Sequence, residues 1–239
     1  MSIGLGWCVL PIQHAFGRLR GESQPEREVR SQRWVHRATR RWARLVTALG
    51  VFQARYEGLE RLTRRPLLIV ANHPSLVDTP VLTCCLPQAD FVVSEEWLTN
   101  PVLRETIRRS GYLKAESGPL VIRDAVRRLR AGRTLVVYPE GSRTPEEGLR
   151  EFQKGAAFIA LAAGCEIVPA LIRVTPRAFM KGQGVFDYPE VAPLWSVAFG
   201  DPIDPADYLA GGEGRSAAAA RLTAALQDDF EKRWERGSG

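Results

Sequence analysis

Leu67-Leu68-Ile69-Val70-Ala71-Asn72-His73-Pro74-Ser75-Leu76-Val77-Asp78 is the stretch on which the fold turns. Its first five residues form a continuous apolar run, as in a strand buried on both faces. A polar loop follows at once. Thr79 and Pro80 then open a helix, with Asp78 or Thr79 as its cap.

The same alternation continues outward. Further strands are expected at 91–93, 112–113, 135–138 and 196–199, and at 167–174 with an interruption at Pro169. Helices are expected at 80–86, 101–110, 120–131, 152–163 and 216–234. Apolar strands alternating with helices predict an α/β fold: a central, largely parallel or mixed sheet flanked by helices. In such sheets the ligand-binding groups sit in loops beyond the C-terminal ends of the strands.

The chain has 239 residues, 45% of them hydrophobic, enough for one large domain with a sizeable core. Its net charge is +6 and its isoelectric point is near 9.4, which suits anionic partners. The charge is local. Residues 18–65 hold thirteen arginines against five glutamates, a surplus of eight, and the remainder is slightly acidic. Cys8, Cys84, Cys85 and Cys165 show no metal-ligand spacing and are expected as reduced thiols in a cytosolic compartment.

No run reaches the roughly 18 apolar residues of a membrane span. Residues 3–16 are apolar but broken by Pro11, Gln13 and His14, and lack the basic start and cleavage site of a signal peptide. They either sit in a bilayer interface or pack on the domain. Residues 17–29 read as a polar connector, followed by a helix over 30–50. Trp34, Val35, Ala38, Trp42, Leu45, Val46 and Leu49 share one sector of that helix. Arg30, Arg33, Arg37, Arg40, Arg41 and Arg44 occupy another. Two readings stay open: an interfacial helix with Trp34, Trp42, Arg37, Arg41 and Arg44 as membrane contacts, or a surface helix with solvated arginines.

Two loops carry chemistry. In the first, the imidazole of His73 is a natural proton acceptor at neutral pH. Asp78 lies five residues on, and on one straight helix that step turns about 500°, off the His73 face. In a loop that bends first, the carboxylate reaches the ring and fixes its tautomer. The plainer alternative is a polar strand-end His73 and an Asp78 that only caps the helix. Ser75 is a turn residue, since no G-x-S-x-G elbow occurs in the chain. The second loop is Tyr138-Pro139-Glu140-Gly141-Ser142-Arg143-Thr144-Pro145. Gly141 permits a tight turn, Arg143 offers a planar fork, and Ser142 and Thr144 add hydroxyls, together a cradle for an anion. Glu140 either orients Arg143 or accepts from a ligand hydroxyl. The alternative is a surface turn with an incidental ion pair.

Together the two loops resemble the glycerolipid acyltransferase family, whose best-known members are the lysophosphatidic acid acyltransferases. That family carries N-H-x-x-x-x-D after a strand, matched by Asn72, His73 and Asp78, and F-P-E-G-T-R-S about 65 residues later, matched by 138–144. Gly155-Ala156 and Val168-Pro169 match further family positions, and the likeness spans roughly residues 55–205. The resemblance implies a glycerol-3-phosphate acyltransferase-like fold; with the helix pattern read above, the chain divides into an N-terminal interfacial segment and amphipathic helix at 1–50 and an acyltransferase domain at 51–239. It implies direct acyl transfer without an acyl-enzyme: His73 deprotonates the acceptor hydroxyl, Asp78 holds His73, and Glu140, Gly141, Ser142 and Arg143 bind the acceptor's polar group. No metal and no bound cofactor are implied. The donor would be acyl-CoA or an acyl carrier protein, the acceptor a lipid, and the location the inner face of the cell membrane, held peripherally. Nucleic acid fits the basic helix but explains neither loop. Two departures stand out. Ser117 occupies a phosphate-binding Arg position, for which Lys114 is the nearest substitute, and Ser94-Glu95-Glu96 replaces a family Lys. These put lysophosphatidate in doubt as the acceptor and raise an amino-lipid or other specialised lipid. A non-catalytic membrane-surface protein is the reading from another class.

Overall fold

The computed structural model describes residues 6–115, 118–184, 187–209 and 214–236. Seven strands form one sheet: β1 (Gln53–Glu57), β2 (Leu67–Ala71), β3 (Asp90–Val93), β4 (Leu113–Lys114), β5 (Thr134–Val137), β6 (Ile167–Thr175) and β7 (Leu194–Phe199). Their spatial order is β1-β7-β6-β2-β5-β3-β4. The five from β6 to β4 run parallel, β7 is antiparallel to β6, and β1 follows β7. The sheet is therefore mixed and mostly parallel.

β2 lies at its centre and is wholly buried, as its unbroken apolar run requires. Leu67, Ile69 and Ala71 enter one core cluster, Leu68 and Val70 the other. Helix α3 (Asp78–Cys85) covers the first face, and α6 (Pro119–Arg130), α7 (Gly155–Ala163) and α8 (Arg215–Arg236) cover the second. The remaining helices are α1 (Gly6–Leu19), α2 (Gln24–Ala48), α4 (Glu96–Thr99) and α5 (Pro101–Ser110). The chain leaves β2 through α3 on one face and its neighbour β5 through α7 on the other. Such a divergence opens a crevice beyond the ends of these two strands.

Four local expectations need correction. The connector over 17–29 shrinks to residues 20–23, because α2 starts six residues early on a capping box: Glu26 accepts from the Ser23 N–H at 2.7 Å. β1 escapes an apolar-run search because it is an edge strand with alternating exposure. Pro169 does not interrupt β6. Its carbonyl accepts from the Gly200 N–H at 2.8 Å, and its ring nitrogen faces that same side, past the end of the β6–β7 ladder at Ala170.

The fourth concerns α2. Its docked stripe begins with Glu28, Ser31, Gln32, His36 and Thr39, all buried, and turns apolar only at Trp42, Ala43 and Val46. Leu45 and Leu49 point outward, 59% and 68% exposed. The polar stripe finds partners under the helix. Gln32 Nε2 donates to Asp90 Oδ1 at 2.9 Å and to the Ser110 carbonyl at 2.8 Å. Arg133 joins Glu28 at 3.1 Å and Asp90 at 2.6 Å. Among the described residues no helix is long and apolar enough to cross a membrane.

Candidate active site

His73 leaves the end of β2 just as the chain bends. Asn72 makes the bend: its amide accepts from the Ile172 N–H at 2.7 Å and donates to the Ile172 carbonyl at 2.9 Å, closing onto β6 like a strand residue. The His73 backbone is then clamped to the second loop. Its N–H donates to Glu140 Oε1 at 3.1 Å and to Thr144 Oγ1 at 3.0 Å, and its carbonyl accepts from the Thr144 N–H at 2.7 Å.

Within the first loop, His73 Nδ1 lies 2.9 Å from Asp78 Oδ2. Asp78 is fully buried and does not cap α3 with its side chain. It accepts instead from the Ser75 N–H at 2.6 Å and from the Trp195 indole N–H at 3.1 Å. Burial pushes the Asp78 carboxyl up, while donation from His73, Ser75 and Trp195 pulls it back. With Nδ1 donating to a carboxylate, the proton-free nitrogen of a neutral ring is Nε2, which has no partner among the described residues. The ring stacks on Tyr138 at 4.2 Å between centroids, and its side chain is 21% exposed. Tyr138 is held by Thr79 at 2.9 Å, and burial raises its phenol, which keeps it neutral.

The second loop differs in detail from an open cradle. Glu140 is buried, and both its oxygens are engaged: Oε1 by His73 and Thr144, Oε2 by the Arg150 N–H at 3.0 Å. It joins the two loops rather than facing a ligand. Gly141 sits at φ 65°, and a Cβ there would come 2.6 Å from the Gln153 amide. Arg143 Nη1 donates to the Met180 carbonyl at 3.0 Å, so the fork holds the segment after β6 against the site. That segment also receives Ser75 Oγ on the Ala178 carbonyl at 2.9 Å. It brings Lys181 within 3.3 Å of Ser142 Oγ, a cation the loop motif does not reveal.

The structure thus gathers His73, Asp78, Glu140, Gly141, Ser142 and Arg143. Lys114 stands apart on β4, three strands from β2 and roughly 14 Å away by strand spacing, paired with Glu95 at 3.1 Å. Ser117 lies outside the described residues. Trp195, 117 residues beyond Asp78, carries no sequence signal that separates it from an ordinary strand aromatic. Of the expected membrane contacts, Arg37, Arg41 and Arg44 are exposed, Trp34 is half-buried, and Trp42 packs on Phe52 at 5.4 Å between ring centroids.

The family described as Acyltransferase matches residues 53–173, half of the chain. A lyso-ornithine lipid O-acyltransferase of Pseudomonas aeruginosa is 35% identical over 155 residues, 63% of this chain and 58% of that protein. A 1-acyl-sn-glycerol-3-phosphate acyltransferase of Borreliella burgdorferi is 34% identical over 136 residues, 55% of this chain and 48% of its own. The chain spans about half the length of the curated relatives it matches. The crystal structure of the 1-acyl-sn-glycerophosphate acyltransferase from Thermotoga maritima shares the fold, with a TM-score of 0.64, 23% identity, and 82% of this chain and 80% of that one covered.

Proposed function

The chain belongs to the acyltransferase family, and from that premise we propose that it moves a fatty acyl group from a thioester donor onto a hydroxyl of a lysolipid at a membrane surface. The observation that carries this reading is the His73–Asp78 contact: Asp78 holds Nδ1 at 2.9 Å on a partly exposed ring whose backbone is clamped to Glu140 and Thr144 of the second loop. In the transfer, Nε2 takes the proton of the acceptor hydroxyl as its oxygen attacks the thioester carbonyl. The new C–O ester bond forms and the C–S bond breaks. The proton passes from the imidazolium to the leaving sulfur, giving free thiol, and no acyl-enzyme intervenes. Asp78 stabilises the imidazolium and keeps the ring in one tautomer. The donor is acyl-CoA or an acyl carrier protein, and no resident metal or cofactor takes part.

Two acceptors follow from the names of the relatives, lysophosphatidate and a lyso-ornithine lipid. Gly141, Ser142, Arg143 and Lys181 supply polar groups for a headgroup. The Lys114–Glu95 pair lies too far from His73 to choose between them. For membrane contact, residues 1–50 act as the interfacial segment and 51–239 as the catalytic body. Arg37, Arg41 and Arg44 meet anionic headgroups beside Trp34, Leu45 and Leu49, which supports peripheral attachment to the inner face of the membrane.

The test mixes protein, acyl-CoA and each lysolipid and records free thiol. Wild type turns over, and His73→Ala loses about 10²–10⁴-fold without a change in melting temperature. Equal turnover by the two proteins would reject the transfer reading.

A further inference from the structure

A second polar cleft lies away from the catalytic edge, between α1, α2 and α5. Its volume is about 400 Å³, and its walls include His14, Arg18, Arg27, Arg108, Arg109 and Glu28. Four arginines therefore line one small concavity. The facing carboxylates do not balance them. Glu28 is committed to Arg133 at 3.1 Å on its core side. Glu105 alone serves both Arg108, at 3.3 Å, and Arg109, at 3.1 Å. Arg27 donates through Nη1 to the Glu22 carbonyl; its Nε and the nearby Glu22 Oε2 are both buried with no hydrogen-bond partner, while Glu22 Oε1 pairs with Arg30. Arg18 and Arg108 are exposed, and a cluster of guanidinium groups short of carboxylates is a place where an anion binds.

We propose that this cleft is a binding site for a phosphate oxyanion, held by Arg18, Arg27, Arg108 and Arg109 and separate from the acyl-transfer site. Arginine forks match phosphate oxygens in pairs, and a phosphate supplies the acceptors that Arg27 and its neighbours lack. The excess positive potential also acts on His14. Burial lowers its pKa first, and the guanidinium groups of Arg109, Arg27 and Arg30 lower it further. His14 is tied through Nε2 to Ser31 at 2.8 Å and to the Arg109 carbonyl at 3.0 Å. It therefore acts as a neutral strut that holds α1 against α2 and α5. Arg18 stands on the same helix as Ile12, Phe16 and Leu19, which are 69%, 51% and 86% exposed. An apolar strip beside a phosphate site suits a phospholipid headgroup, whereas a soluble phosphate needs no such strip.

The experiment titrates the full chain with monomeric dihexanoyl phosphatidylglycerol in one arm and glycerol 3-phosphate in the other, and reads heat of binding. Wild type saturates with at least one probe. Arg18→Gln/Arg108→Gln, both on exposed side chains, binds about tenfold more weakly or worse. The surface control Arg123→Gln/Arg127→Gln binds as wild type. Saturation by the lipid but not by glycerol 3-phosphate assigns the site to a headgroup, and the reverse assigns it to a soluble phosphate. The site is overturned if Arg18→Gln/Arg108→Gln saturates like wild type, if the control weakens equally, or if neither probe binds. Because binding is read rather than turnover, a protein inert towards every lysolipid would still display the site.

Discussion

Asp78 is tightly held: fully buried, with donors from a ring, a backbone and an indole. Trp195→Phe keeps the packing and deletes the indole donor. It is expected to cost about 1–3 kcal/mol in urea denaturation and to lower kcat more than KM, since the ring it steadies acts in the transition state. Glu140→Gln tests the clamp between the loops. The amide must turn its NH₂ towards one of two donor clusters, at His73 and Thr144 or at Arg150. Stability falls by about 1–3 kcal/mol, and turnover falls with it even though Glu140 touches no substrate. The pairing of His73 with Asp78 was legible as a spacing on a bent loop. The inward turn of Glu140 was not, because nothing in a tetrad of loop residues says which side faces water.

Helix α2 shows how an amphipathic pattern leaves direction undecided. Its apolar sector leaves open whether it meets the core or a membrane; in the fold the sector is divided, with Trp42 and Val46 packed on the core behind a polar stripe and Leu45 and Leu49 facing out. The polar stripe is tolerable because Asp90, Arg133 and Ser110 meet it with partners. Removing one partner should therefore be costly. Asp90→Asn leaves Arg128 and Arg133 short of a counter-charge, with an expected loss of about 3–5 kcal/mol. Limited proteolysis should then cut within 24–48 before the body unfolds. Leu45→Ser/Leu49→Ser touches only the outward side. The melting temperature stays, while co-sedimentation with anionic vesicles drops, and added salt removes most of the remainder. Unchanged sedimentation would place the membrane contact elsewhere.

Across the whole molecule, buried thiols make stability fall in alkali. Burial, with Glu166 adding to it, pushes the Cys165 thiol from 9.0 up to about 11, and burial beside Cys84 pushes Cys85 up to about 12. The unfolded chain releases these protons first, so the stabilisation is complete below pH 9 and is lost as pH climbs towards 11 and 12. Each thiol contributes a slope of about 1.4 kcal/mol per pH unit in that window. Urea midpoints at pH 8, 9.5 and 10.5 should decline, and Cys165→Ala should flatten the decline by one such slope. Local chemistry determined much of this molecule in advance. Apolar runs of strand length had to be buried on both faces, helical patterns between them had to cover the sheet, and polar loops had to follow β2 and β5. Only the tertiary structure decided that β2 and β5 are neighbours, that an indole from β7 reaches Asp78, and that four arginines from three helices share one cleft. Those arrangements depend on contacts between residues far apart in the chain, and distance through space is set by packing, which no local pattern encodes.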